Sequence, residues 1–228
     1  MLHRVLEVEV MDTPEEAVDY DAMDHSAVNR LFVDDFLRFW QSRSEPRLTA
    51  VGPIKTLDVG TGTAQIPIEL CSRSTEFHVT AVDLATHMLQ LGQQNVVRAG
   101  LQSAITLEQV DAKGLPYPDS SFDAVISNSI VHHIPEPRLT VAEMLRVLRP
   151  GGALFVRDLF RPPDTTTLTH LVETYAAGAN AHQRQMFADS LHAALTVEEV
   201  AALLQSCGAD PSAVRATSDR HWTVALWK

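Results

Sequence analysis

Three groups of residues in this sequence have types and spacings that could do chemistry. The first is Asp58-Val59-Gly60-Thr61-Gly62-Thr63-Ala64-Gln65, a glycine-containing turn between a β-branched run and a helix-like one. Glycines there let the backbone turn tightly and let a ligand approach the main chain. The second is Asp83, which closes the next apolar run, Val79-Thr80-Ala81-Val82, at the distance of about 20 residues where an acid accepts hydrogen bonds from ribose hydroxyls. The same acid could instead cap a helix starting at Ala85. Asp111 closes a third run, Ile105–Val110, and a carboxylate at that strand end can accept the exocyclic amine of adenine. Together these acids and glycines describe a site for a ligand that carries a nucleoside.

The third group is His132-His133, just past a fourth apolar run, with Asp158 at the end of a fifth. An unperturbed imidazole titrates near pH 6.5, so either histidine can take a proton at neutral pH. The doublet could also simply order its loop. Asp158 could be a base, a substrate ligand, or half of a pair with Arg157 or Arg161. No metal is expected: two adjacent histidines are not a ligand cluster, and no Cys or Glu stands beside them at metal-site spacing.

These residues need a scaffold that brings strand ends together. From Ile54 the chain alternates strand-like runs (Ile54–Val59, Phe77–Val82, Ile105–Val110, Phe122–Ser127, Ala153–Arg157) with helix-like ones (Gln65–Arg73, Thr86–Arg98, Arg138–Leu148). Pro150-Gly151-Gly152 reads as a stop signal. Alternation of this kind predicts an α/β fold, an open, doubly wound and mostly parallel sheet with helices on both faces. Ligands then bind beyond the carboxyl ends of the strands, where all three groups lie. Before this core, Thr13-Pro14-Glu15-Glu16 reads as a helix start, and Leu31, Phe32, Phe36, Phe39 and Trp40 give an amphipathic helix over about Ser26–Ser42. After it, Thr165–Ala177, His182–Leu195 and Thr196–Ser206 read as helices and Trp222–Trp227 as a strand. The first two form a helical lid insertion, and Tyr175, His182 and Arg184 in that region could reach a substrate.

In order, the motifs are Asp58-Val59-Gly60-Thr61-Gly62, Val82-Asp83-Leu84 with Met88, Val110-Asp111-Ala112, Leu115-Pro116, Ser121-Phe122-Asp123, His132-His133-Ile134-Pro135 and Leu148-Arg149-Pro150-Gly151-Gly152. Over about Ile54 to Asp158 this series resembles the class I S-adenosylmethionine (SAM)-dependent methyltransferases, closest in style to the ubiquinone/menaquinone-biosynthesis type. The resemblance implies a seven-stranded Rossmann-like sheet, SAM as cofactor and S-adenosylhomocysteine as product. It implies that Asp58 supports the loop near the methionine end of SAM, with Gly60, Thr61, Gly62 and Gln65 along the cofactor. Asp83 would hold the ribose, Leu84 and Met88 would pack near the adenine, and Asp111 and Ala112 would contact it. Asn128 and Ser129 would line the cleft near the sulfonium, and the Tyr20–His25 segment, through Tyr20 and Met23, would close over SAM. The third loop glycine of the family is Ala64 here, and a minor effect on the helix approach is expected. Gln65, at the sixth position counted from Gly60, argues against a nicotinamide dinucleotide.

The resulting expectation is one domain over 1–228: an N-terminal arm and cap helices (1–50), a SAM-binding core (51–158), the lid (159–195) and a C-terminal helix and strands (196–228). Its function would be methyl transfer from SAM to a small-molecule acceptor. The alternatives are a non-catalytic SAM-binding protein and a methyltransferase acting on a protein side chain. Hydrophobic residues make up 45% and charged residues 21%, enough apolar material for a core. The net charge of -11 opposes nucleic acid and anionic membrane surfaces as partners. With no targeting segment read at the start, the cytoplasm is expected; Cys71 and Cys207 are expected to be free thiols. The extended arm would suit a homodimer contact.

Overall fold

The computed structural model describes every residue except Glu9, Met11, Asp24 and 44–51. Asp24, within the Tyr20–His25 segment expected to close over SAM, therefore lies outside the described residues. Among the described residues eight α-helices and seven strands follow one another: α1 (Pro14–Ala22), α2 (Ser26–Gln41), β1 (Ile54–Val59), α3 (Gln65–Arg73), β2 (Phe77–Asp83), α4 (Thr86–Ala99), β3 (Ile105–Gln109), β4 (Phe122–Asn128), α5 (Arg138–Val147), β5 (Leu148–Leu159), α6 (Thr165–Tyr175), α7 (Ala181–Ala193), α8 (Val197–Ser206), β6 (Val214–Ala216) and β7 (His221–Trp227). The strands form one sheet in the order β3-β2-β1-β4-β5-β7-β6. β1 pairs in parallel with β2 and β4, and β2 with β3, whereas β6 pairs antiparallel with β7. This is the doubly wound α/β sheet that the alternation predicts. Among the described residues no helix is long and apolar enough to cross a membrane.

The chain divides into two compact units. One comprises Val10–Asn128, Leu139–Val156 and Ala225–Lys228; the other comprises Met1–Glu9, Ser129–Arg138 and Arg157–Val224. In the first, α2 lays its apolar stripe into the core: Phe32, Val33 and Phe36 are buried among Ile54, Leu70, Phe77, Ile126 and Phe155. Phe36 meets Phe77 and Phe155 at 5.7 Å between ring centroids, and Phe39 stacks on Trp227 at 4.8 Å. The predicted cap of α1 is a full capping box: Thr13 accepts from Glu16 N–H, and the Glu16 carboxylate accepts from Thr13 N–H. In the second unit Leu159, Leu168, Leu171, Leu191 and Ala194 form a separate core.

One expected boundary is corrected. Helix α5 does end ahead of Pro150-Gly151-Gly152, at Val147, but the strand expected to start at Ala153 begins at Leu148 and runs through these residues. The reason is pairing with the C-terminus: Gly151 N–H donates to Lys228 O and Lys228 N–H to Gly152 O. Gly152 is required by proximity, since a Cβ there would stand 2.6 Å from Leu148 Cδ1 and 2.9 Å from the carbonyl oxygens of Arg149 and Asp123. β6 is an addition that no sequence signal gave.

Candidate functional site

The turn after β1 is built by β2. Gly60 and Thr61 N–H groups both donate to Val82 O, at 2.8 and 2.9 Å. Asp83 then holds the turn from the side: its Oδ2 accepts from Gly62 N–H at 2.7 Å, and its Oδ1 from Ala85 N–H at 2.9 Å, at the start of α4. The capping role and a ligand role are therefore compatible, because each carboxylate oxygen keeps a second lone pair. Gly60 and Gly62 take positive φ of 75° and 54°. Ala64 takes φ 64° as well, fully buried at the N-cap of α3. A left-handed alanine costs roughly 1–2 kcal/mol, so a glycine would suit this position better.

Beside this turn is a cavity lined by Tyr20, Asn29, Asp58, Gly60, Thr61, Thr63, Gln65, Ile66 and Asn128. Three of its buried oxygens, Asp58 Oδ2, Thr61 Oγ1 and Asn128 Oδ1, have no hydrogen-bond partner. Buried polar atoms are normally paired, so three orphans on one cavity mark a place where a polar ligand completes the structure. Burial pushes the Asp58 carboxyl up to about 7; Thr61 beside it lowers it and Asp83 raises it further. Burial also raises Asp83, against the pull of the N–H groups of Ala85, Gly62 and Leu84. Tyr20 is pushed up to about 12 by burial and by Asp83, Asp58 and Asp21. A cationic ligand would offset this crowding of acids; the donor set fits SAM, whose sulfonium and ammonium are positive.

A polar network fixes the cavity wall. Asn29 Nδ2 donates to Gln65 Oε1 at 2.9 Å, Gln65 Nε2 donates to Asp21 Oδ1 at 3.3 Å, and Asn95 Nδ2 donates to Asp21 Oδ1 and to Thr63 O. Asn29, Thr63 and Ile66 are lining residues that sequence reasoning missed. Asn29 had a signal: it falls at helical spacing with Phe32, Val33 and Phe36, so it is a polar residue on the buried stripe of α2. Of the other expected contacts, Met88 is buried with Ala17 and Ala85, Tyr20 packing against them. Leu84 is exposed, and Asp111 is paired with Lys113 at 3.2 Å. Met23 is the C-cap of α1. Gly62, Asp83, Leu84, Met88, Asp111, Ala112, Ser129 and Met23 are not among that cavity's lining residues.

The remaining motif residues are structural. Asp123 accepts from Lys55 N–H and pairs with Arg149, tying the start of β4 to β1 and β5. Glu143 accepts from Leu115 N–H and from Arg146, which also donates to the carbonyls of Leu115 and Tyr117 and so holds the Leu115-Pro116 loop.

In the second unit the doublet and Asp158 do come together. His132 Nδ1 lies 2.6 Å from Asp158 Oδ1, and His132 N–H donates to Asp158 Oδ2 at 3.1 Å. Neither Arg157 nor Arg161 is the partner of Asp158 in these contacts: Arg157 Nε donates to Thr223 Oγ1, and Arg161 pairs with Glu199 and donates to Ala194 O. Burial lowers His132, but the charge and hydrogen bond of Asp158, and then Glu7, outweigh it and raise the imidazole. Burial pushes Asp158 up, and the charge and hydrogen bond of His132 bring it below the usual carboxylate range. His133 is driven down to about 3 by burial and by His132. Ser129, with φ 58°, donates its N–H to Arg157 O. Tyr175 donates to Asp219 and lies under Arg220, and Arg184 donates to Ala176 O, so both have local partners.

Comparison with known proteins agrees with this geometry. Residues 57–156 match the family described as "Methyltransferase domain". The chain is 32% identical over 169 residues to a demethylmenaquinone methyltransferase of Porphyromonas gingivalis, covering 67% of this chain and 69% of that protein. It is 26% identical over 191 residues to a 27-O-demethylrifamycin SV methyltransferase of Amycolatopsis mediterranei, covering 81% and 66%. The fold matches a crystal structure of a SAM-dependent methyltransferase from Aquifex aeolicus with a TM-score of 0.64 at 17% identity, over 94% of this chain and 98% of that one. The chain belongs to the class I SAM-dependent methyltransferases, with SAM as its cofactor.

Proposed function

We propose that this protein transfers the methyl group of SAM to a small-molecule acceptor. The observation that carries the reading is the trio of unpartnered buried oxygens on one cavity beside the turn after β1. SAM supplies a methyl group activated by its sulfonium; the protein's tasks are to hold, orient and exclude water. In this reading Gly60, Thr61, Gly62 and Gln65 lie along the cofactor and Asp58 answers its positive end. The free lone pairs of Asp83 take the ribose hydroxyls, with Leu84, Met88, Asp111 and Ala112 at the adenine. Asn128 and Ser129 line the sulfonium end, and Tyr20 and Met23 close over it.

For an acceptor that must lose a proton, His132 is the candidate base, with Asp158 holding Nδ1 and leaving Nε2 to act; His133 is neutral beside it. The names of the two curated relatives support a small-molecule acceptor, and the net charge of -11 speaks against nucleic acid. A cytoplasmic enzyme belongs to the same reading, as does a homodimer contact through the exposed Val5, Leu6 and Val8.

The test is incubation with methyl-labelled SAM and pooled quinols, phenols and macrolides. Label in an extractable small product is expected. Label only in acid-precipitated protein would overturn the small-molecule reading in favour of a protein acceptor.

A further inference from the structure

The N-terminal arm carries a carboxylate to the histidine doublet. Glu7 Oε1 lies 3.5 Å from His132 Nε2 and 3.2 Å from His133 Nδ1, and the three ligand atoms all lie within 4.8 Å of one another. The side chains are withdrawn from solvent, at 16%, 4% and 18% exposure for Glu7, His132 and His133. Glu7 Oε1 and His133 Nδ1 are buried without a hydrogen-bond partner. The arm is held in place by Arg4, which donates to the carbonyls of His132, Ile134, Pro135 and Ala193, and by Val5 N–H, which donates to His192 O.

We propose that Glu7, His132 and His133 bind a divalent transition-metal ion of the zinc class, with Asp158 orienting His132 from behind. A tetrahedral ion with ligands at roughly 2.0–2.1 Å sets neighbouring ligand atoms about 3.3 Å apart. The two separations from Glu7, 3.5 and 3.2 Å, bracket that edge. Two imidazoles and one carboxylate form a donor set that zinc and ferrous iron use while keeping a further position open. Asp158 on the far nitrogen of His132 supplies the carboxylate–histidine arrangement that fixes the tautomer of a ligating imidazole. Glu7 and Asp158 face His132 from its two ring nitrogens, and the guanidinium of nearby Arg4 is spent on main-chain carbonyls. A buried carboxylate oxygen without a partner is costly, and a bound cation removes that cost.

The proposal does not rest on the methyl-transfer reading. It does bear on it, because a metal on Nε2 occupies the nitrogen that would otherwise act as the base.

Cobalt(II) is the probe. The metal-stripped full chain is titrated at about pH 8, where ligand protons compete least, and visible absorption is followed. The expected result is saturation at one equivalent with the intense bands of four- or five-coordinate cobalt, bleached by zinc. Glu7→Gln, on the arm, should weaken binding at least ~10-fold with an unchanged circular dichroism spectrum, and Asp158→Asn should weaken it by ~10–100-fold. If Asp158→Asn does not fold, the Glu7 variant decides alone. Absorption typical of hydrated octahedral cobalt, or equal affinity in the wild type and Glu7→Gln, would overturn the proposal and leave a cluster held by protons only.

Discussion

Asp83 Oδ2 accepts the main-chain N–H of Gly62 at 2.7 Å, so the acid that ends β2 holds the turn that follows β1. The same carboxylate is the expected ribose acceptor, and its remaining lone pairs leave both roles open to it. Asp83→Ala should therefore retain the circular dichroism spectrum and lose SAM affinity by at least ~100-fold, as charge-assisted hydrogen bonds are worth about 1.5–3 kcal/mol each. Unchanged affinity by calorimetry would mean that the ribose sits elsewhere.

Asp58 predicts a pH-dependent cost. Its carboxyl titrates at 3.8 when unperturbed and is pushed up to about 7 by burial. The folded state thus binds this proton more tightly than the unfolded one, and stability falls as pH rises from about 4 to about 7, by up to about 4 kcal/mol. Asp58→Asn removes that titration. Its melting temperature without ligand should exceed the wild type's by a margin that grows between pH 5 and pH 8, while its SAM affinity falls. A margin independent of pH would contradict the burial argument.

Gly92 on α4 sets how closely that helix approaches the turn. A Cβ there would stand 3.3 Å from the Thr63 carbonyl carbon and 3.4 Å from Ala64 Cβ and Gly62 O. Alanine gains about 1 kcal/mol of helix propensity, which offsets the crowding. Gly92→Ala should melt within a few degrees of the wild type yet bind SAM about 10-fold more weakly. Wild-type affinity would show that the turn yields freely.

Gly152→Ala should behave differently, because backbone oxygens of Arg149 and Asp123 block its Cβ at 2.9 Å. A loss of about 3 kcal/mol or more is expected from denaturant titration. A loss below about 1 kcal/mol would show that β5 can shift away from Asp123.

The core was readable because local pattern and global fold agree there. The aromatic stripe of α2 and the β-branched runs of β1, β2 and β4 each name their own burial. Misreadings came where distant pairing overrides a local signal. Pro150-Gly151-Gly152 carries turn residues, but Lys228 at the other end of the chain recruits them into β5. For Asp158 the sequence left a base, a substrate ligand or an arginine pair open, and it is the fold that brings its carboxylate to His132. Glu7 shows the limit most clearly: no spacing rule connects it to His133, and only the fold of the arm brings its carboxylate within 3.2 Å of that ring.

The central claim is that the cavity formed by Asp58, Thr61 and Asn128 beside the Asp83-braced turn holds SAM. Calorimetric titration of the purified protein with SAM, with NADH as the control, tests it most directly. The account predicts one site of micromolar or tighter affinity for SAM and none for NADH. No SAM binding by protein verified to carry no SAM or S-adenosylhomocysteine from purification would contradict it.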